Sequence, residues 1–264
     1  MQSPGGRGGA RPALGQRDPQ RHADHGRARA LACRTVPDAD DPVLKGGRLL
    51  LAFEARHVRP TLDHVAEILG AGFDFRAARR DEAASRRVHT LYRDAHRALV
   101  ALPKPTLAMM RGHAIAGGLV LVLACDYRLG LEGDYRVGLN EVAVGAAFPR
   151  TAIEIVRLRL AHARASELVL GAALYPATQA VRLGIVDELL PADRFEETVL
   201  RRAAHLAAFP REAYAHAKAA LIGETLDRID AETPAEAAAA IAVWSAPASR
   251  AARARQREKL GIKR

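Results

Sequence analysis

Cysteine is nearly absent. Cys33 and Cys125 are the only two in 264 residues, one in an irregular segment and the other inside an apolar run. Neither a disulfide framework nor a thiolate metal cluster is implied. Long hydrophobic runs are missing as well: Leu119 to Cys125 is far short of the roughly 18 apolar residues of a membrane span. The basic N-terminus lacks the apolar core of a secretory signal, so a cytoplasmic location is expected. Aromatic residues are scarce at 5%, and none is interleaved with Arg7-Gly8-Gly9. That tripeptide therefore carries little of the stacking chemistry a single-strand nucleic-acid segment needs. The ten histidines include no pair at metal-ligand spacing beside a carboxylate, and no metal is expected.

What is present suits a globular chain able to bury a sizeable core, with 49% hydrophobic and 27% charged residues. The net charge of +10 and isoelectric point near 10.3 leave three readings open. These are solvated arginine-rich helix faces, nucleic-acid binding with a steep salt dependence, and a polyanionic small molecule. The arginine excess occurs at both ends and in the middle, so charge does not choose among them.

One stretch organises the rest, Arg111 to Asp126. Thr106 to Met110 is a short apolar run after Pro103 and Pro105, the pattern of a buried strand ended by Gly112. From Gly117 the residues are apolar on every face, so a helix there has no solvent side and lies inside the domain. Gly117 and Gly118 stand at its start, where backbone N–H groups lack intrahelical partners and the dipole is positive. Glycine allows close approach to that backbone. The chemistry is an anion or oxyanion site; the alternative is close packing of a helix on a sheet.

Residues 1–45 show neither helical nor strand periodicity and are expected to be disordered or divergent. Leu49 to Phe53 reads as a strand, and His64 to Leu69 has helical character. Asp81 to Leu102 is an amphipathic helix with Val88, Leu91, Tyr92, Ala95 and Leu99 on one face, stopped by Pro103. Asp126 to Leu131 is a strand, and Glu141 then lies in otherwise apolar surroundings. A helix from Phe148-Pro149-Arg150 runs through Leu160, and another from Ala163 to Leu170 stops at Gly171. A third runs from Pro176 to Leu183, closed by Gly184, before a strand at Ile185 to Leu190. Helices follow at Ala192 to Ala208, Arg211 to Ile222 and Ala235 to Trp244, and a basic tail ends the chain. Strands alternating with helices mean an α/β domain, here over residues 46–190, with a helical region and basic tail over 191–264.

Ala71-Gly72-Phe73-Asp74, Gly112-His113-Ala114-Ile115-Ala116-Gly117-Gly118, Cys125-Asp126-Tyr127-Arg128, Gly138-Leu139-Asn140-Glu141 and Ala180 to Glu188 occur in this order. Together they resemble the enoyl-CoA hydratase/isomerase (crotonase) superfamily over about residues 70–250. The resemblance implies a ClpP/crotonase spiral of βα units with C-terminal helices that form a homotrimer or a dimer of trimers. It implies an acyl-CoA thioester of fatty-acid metabolism as substrate, no separate cofactor, and no nucleic-acid partner. The enolate oxyanion would be held by the N–H groups of Ala71 and Gly117. Gly72, Phe73, Asp74, Arg76, Gly118, Val120 and Phe148 would line the substrate, with Arg79 and Arg80 as further candidates for the CoA phosphates. Residues 1–70 carry none of the family's opening strand hairpin or Asn-Ala-Leu-like segment. The abrupt change of composition near residue 70 marks either a divergent start or a different reading frame.

Hydratases of the family use two glutamates. One position is Val120 here, which can neither orient water nor carry a proton; the other is Glu141. One glutamate suffices to move a proton along an allylic system, and the Gly-Leu-Asn-Glu wording resembles 3,2-enoyl-CoA isomerases. Hydration, a lyase reaction, and a catalytically weak acyl-CoA binder are the alternatives. Val142, Val144 and Phe148 are expected to surround Glu141 and raise its pKa. Asp126 is expected to tie down a loop, and His113 to be a packed core histidine.

Overall fold

The structure is a computed structural model that describes residues 30–32, 49–54 and 82–259. Cys33, the segment His64 to Leu69, Ala71 to Asp74, Arg76, Arg79 and Arg80 lie outside these residues. Among those described, eight strands and nine helices follow one another as an α/β core and a helical C-terminal third. Strands β1 (Ala30–Ala32) and β2 (Leu49–Glu54) pair antiparallel, and β2 pairs antiparallel with β3 (Leu107–Met110). The first of these falls within the stretch expected to lack periodic structure. β3, β5 (Tyr127–Leu131) and β8 (Glu188–Leu190) then run parallel, completing a five-stranded sheet in the order β1-β2-β3-β5-β8. A second sheet joins β4 (Ala114–Ile115), β6 (Arg136–Gly138) and β7 (Leu174–Pro176), parallel and then antiparallel.

Helix α1 (Glu82–Val100) buries Tyr92, Ala95, Leu99 and Val100, all on its apolar stripe. Helix α2 (Gly117–Ala124) is enclosed on every side, with Leu119, Val120, Leu123 and Ala124 wholly buried, as its unbroken apolar sequence requires. It forms the axis of the main core, to which α1, α3 (Arg150–Arg159) and Ala165, Leu168, Ala180 and Ile222 from later helices contribute. A smaller cluster of Met109, Leu129, Leu190, Phe195 and Val199 seats α6 (Phe195–Ala207) against the sheet.

The far end of α2 is held by charge. Arg159 donates to the Leu123 carbonyl at 2.9 Å and pairs with Asp126 at 3.2 Å, which also places a cation at the negative end of the helix. Asp126 takes Lys218 Nζ at 2.7 Å, Tyr214 Oη at 3.2 Å and the Thr106 N–H at 3.0 Å. It therefore ties three segments together, as expected of a residue that anchors a loop. Tyr214 and Lys218 come from α7 (Arg211–Asp230), so the helical third is locked onto the core at this point.

Several boundaries differ from the sequence reading. The helix ending near Gly171 is α4 (His162–Gly171), and its left-handed cap is Ala172 at φ 49°, not the glycine. The chain must turn there to send β7 back along β6, and that need overrides residue preference. Helix α5 (Ala177–Arg182) is closed by Gly184 at φ 73°, as expected. The next strand is limited to Glu188–Leu190, which pair with Leu129–Leu131 of β5, while Asp187 just before it still donates its N–H to the Arg128 carbonyl at 2.9 Å. Helix α7 runs eight residues beyond Ile222, burying Thr225 and Ile229 on the way. Helix α8 (Pro234–Ser245) starts on a capping box between Thr233 and Glu236. The basic tail is a helix, α9 (Pro247–Lys259), whose Ser249 is buried. No helix among the described residues is long and apolar enough to cross a membrane.

Candidate active site

The short parallel pairing of β4 with β6 builds the site. Ile115 stands opposite Gly138, and the Ala116 N–H donates to the Gly138 carbonyl at 2.9 Å. The start of α2 and the turn that follows β6 are thereby brought side by side, and that turn carries Glu141. Ala116 sits at φ 55°, ψ −133°, a backbone region alanine rarely enters. Its carbonyl still accepts from Leu119 and Val120, so the helix begins at once. No backbone acceptor among the described residues takes the Gly117 N–H. A Cβ on Gly118 would meet nothing within 4 Å. The result is an amide without an intrahelical acceptor at a helix start, with open space at the next residue, the arrangement a developing negative charge needs.

Glu141 occupies a tight turn in which its own carbonyl accepts from Val144 at 3.1 Å and Ala146 at 2.8 Å. Its Oε2 is buried without a hydrogen-bond partner among the described residues. Burial pushes the carboxyl up from its ordinary 4.5 to about 7, opposed in part by its own backbone. A carboxyl poised there can both take and return a proton near neutral pH. Val142 is 49% exposed and does not enclose it, contrary to expectation; the turn's tip points that side chain outward. Phe148 packs half-buried against the core.

The enclosure comes in part from α1. Tyr92 is buried, its ring edge lies 3.6 Å from where a Gly117 Cβ would stand, and it feels the charge of Glu141. Its hydroxyl is held well above the usual 10, by burial first and by Glu141 second, and stays neutral. Tyr92 stacks on His96 at 3.9 Å. The His96 Nδ1 donates to the Tyr92 carbonyl at 2.7 Å, which leaves Nε2 as a buried lone pair. Burial lowers its pKa to about 4, against the opposing pull of the Tyr92 and Gly117 carbonyls. Tyr92 thus lies against Gly117 and within the field of Glu141, although the sequence marks it only as one residue of an apolar stripe.

Of the residues singled out in the sequence, Gly117 and Gly118 open α2 next to the residue that bonds to Gly138, and Glu141 lies three residues beyond Gly138. Val120 is wholly buried inside α2. Ala71, Gly72, Phe73, Asp74 and Arg76 are outside the described residues. His113 is exposed rather than packed in the core, and its Nδ1 accepts the Arg136 N–H at 2.9 Å. The turn between β3 and β4 carries it outward. Among the described residues no cluster of three or more metal-binding side chains occurs.

Comparison with known proteins bears on the family and the fold. A sequence model of a family described as enoyl-CoA hydratase/isomerase matches residues 62–259. The protein named "Probable enoyl-CoA hydratase echA17" from Mycobacterium avium is 34% identical over 160 residues, covering 58% of this chain and 60% of that protein. The human "Enoyl-CoA delta isomerase 1, mitochondrial" is 28% identical over 131 residues, covering 49% of this chain and 43% of that protein. The chain thus spans less than two thirds of these relatives' length. The crystal structure of an enoyl-CoA hydratase/isomerase family protein from Pseudomonas syringae superposes with a TM-score of 0.59 at 28% identity. That match covers 62% of this chain and 71% of that one.

Proposed function

Because the chain belongs to the enoyl-CoA hydratase/isomerase family, we propose that it isomerises a 3-enoyl-CoA to the conjugated 2-enoyl-CoA. The observation that carries this reading is Glu141, whose Oε2 is buried without a hydrogen-bond partner among the described residues and whose pKa burial pushes up to about 7, in the turn that follows the β4–β6 pair at the start of α2. In the ionised form it takes a proton from the α carbon of the thioester. The dienolate so formed places its negative oxygen against the Gly117 N–H, with the Ala71 N–H as the second donor that the family resemblance implies. Removing one such donor raises the barrier by about 3 kcal/mol. The protonated glutamate then returns the proton to the γ carbon, and the glutamate ends as it began. Gly118, with open space beside it, lets the thioester lie close to the backbone.

Isomerisation is favoured over hydration because the second acid position is Val120, an apolar side chain sealed in the core. The relatives carry both kinds of name, hydratase and isomerase, so the reaction is decided by assay. Purified protein is followed by ultraviolet absorbance with 3-hexenoyl-CoA and with crotonyl-CoA, each alongside Glu141→Gln. Conjugation with the first substrate, lost in the variant, is the expected result. Loss of absorbance with crotonyl-CoA would replace isomerase with hydratase. Calorimetric binding of the acyl-CoA without turnover would replace both with an acyl-CoA binder.

The acyl-CoA thioester is the partner of this reading, with no resident cofactor and a cytoplasmic location. A homotrimer or a dimer of trimers belongs to the same proposal. Helix α8 supports it, since none of its residues is buried although it is largely alanine with Ile241, Val243 and Trp244. Light scattering on the eluted protein tests the assembly: a monomer at micromolar concentration would overturn it.

A further inference from the structure

The turn that carries Glu141 is clamped from outside by the last helix. At Gly145, φ is 69°, and a Cβ there would stand 2.6 Å from the Cα of Ser249 on α9. Glycine is required twice over, for the backbone conformation and for the approach of the helix. Ser249 is buried by that contact. One helical turn later, Arg253 donates from Nη1 to the Gly145 carbonyl at 3.3 Å and from Nη2 to the Trp244 carbonyl at 2.7 Å. Its guanidinium also lies 3.7 Å from the centre of the Trp244 ring. The side chain therefore bridges the end of α8 and the Glu141 turn.

We propose that Arg253 is a positioning residue, holding the 140–146 turn so that the Glu141 carboxyl stays enclosed beside the Gly117 amide. Three observations carry this independently of any titration. A planar group with several donors matches two carbonyls and an aromatic face at once, which lysine cannot do. Among the described residues the turn's remaining backbone bonds are local, from Val144 and Ala146 to the Glu141 carbonyl, from Val144 to Asn140 and from Gly145 to Val142. They shape the turn but do not fix where it sits. The helix also approaches so closely that any other residue at 145 would push it away. A side chain 112 positions downstream thus determines where the acid/base group stands.

The catalytic part of this inference rests on the isomerase reading; its structural part does not. The test therefore has two arms. Hydrogen exchange of the 140–146 amides in full-length protein needs no substrate, and Arg253→Ala is expected to speed it by about tenfold while α1 and α2 stay protected. Unchanged exchange in the turn, or a rise spread evenly over the molecule, would overturn the proposal. With 3-hexenoyl-CoA, Arg253→Ala is expected to lower kcat by about tenfold with KM within about twofold, since orientation and not binding is lost. Added ethylguanidinium should recover part of kcat. An unchanged kcat, or a loss in KM alone, counts against positioning. Should Arg253→Ala fail to fold, Arg253→Lys supplies the same comparison: it keeps charge over the ring, loses one carbonyl bond, and is expected to fall between wild type and alanine. If wild-type protein turns over neither substrate but the turn loosens in the variant, the clamp stands and the isomerase reading falls.

Discussion

The largely desolvated carboxyl of Glu141 makes stability and activity pull in opposite directions. In the folded protein it titrates near 7 instead of at 4.5. The native state therefore binds this proton more tightly than the unfolded chain, and ionising the group costs folding free energy. At 1.36 kcal/mol per pH unit, the displacement is worth at most about 3 kcal/mol. That cost is absent below about pH 4.5, grows through the interval up to about 7, and is complete at about pH 8. Tyr92, the neighbouring titratable group, stays neutral throughout and adds nothing to the slope. Glutamine matches the side chain in shape and carries no charge at any pH. Urea unfolding of wild type and Glu141→Gln at pH 5, 6, 7 and 8 should therefore diverge. The variant's advantage should grow from under about 1 kcal/mol at pH 5 to about 3 kcal/mol at pH 8, over any constant offset. Wild-type turnover of 3-hexenoyl-CoA should rise across the same interval as the carboxylate forms, while the stabilised variant is inactive. Parallel stability curves would refute the reasoning, because they would mean that Glu141 is solvated in the folded protein.

Four further substitutions probe the fold that holds that group. Ala116→Gly relieves a positive φ and should stabilise the protein by about 1 kcal/mol after the entropic cost of glycine, seen as a higher Tm; a lower Tm would mean that no strain is stored there. Gly138→Ala would drive a Cβ into the Ala173 carbonyl, so β6 and β7 must separate at a cost of about 1–3 kcal/mol; thermal melting followed by circular dichroism would register it. Asp126→Asn leaves the buried Lys218 without its carboxylate and should cost about 3–5 kcal/mol in urea unfolding. By contrast, Arg97→Ala removes the exposed pair with Asp230 and should cost no more than about 1 kcal/mol. Similar losses in these two variants would argue that burial of the Asp126 network contributes little.

Much of this protein is legible in one dimension. A run that is apolar on all sides has only one place to go, and the sequence alone therefore puts α2 inside the domain. Two glycines at its start make it a candidate oxyanion site, with close packing as the alternative. The order of five short motifs identifies Glu141 as the acid/base candidate and Val120 as the missing second acid. Composition excludes a disulfide framework for equally local reasons. What sequence could not determine depends on contacts between distant segments. Ala116 adopts a strained conformation because its N–H is drawn to Gly138 across the β4–β6 pair. Tyr92 looks like any core residue until α1 lays its ring against Gly117. His113, beside an apolar segment in the chain, ends exposed because the turn that holds it faces outward. The final helix, arginine-rich and without an apolar stripe, reads as a tail; docking on Gly145 and Trp244 gives Ser249 and Arg253 partners there. Periodicity and composition record what each segment needs from its surroundings. Which partner meets that need is settled by tertiary packing, and so is the pKa that packing confers on Glu141.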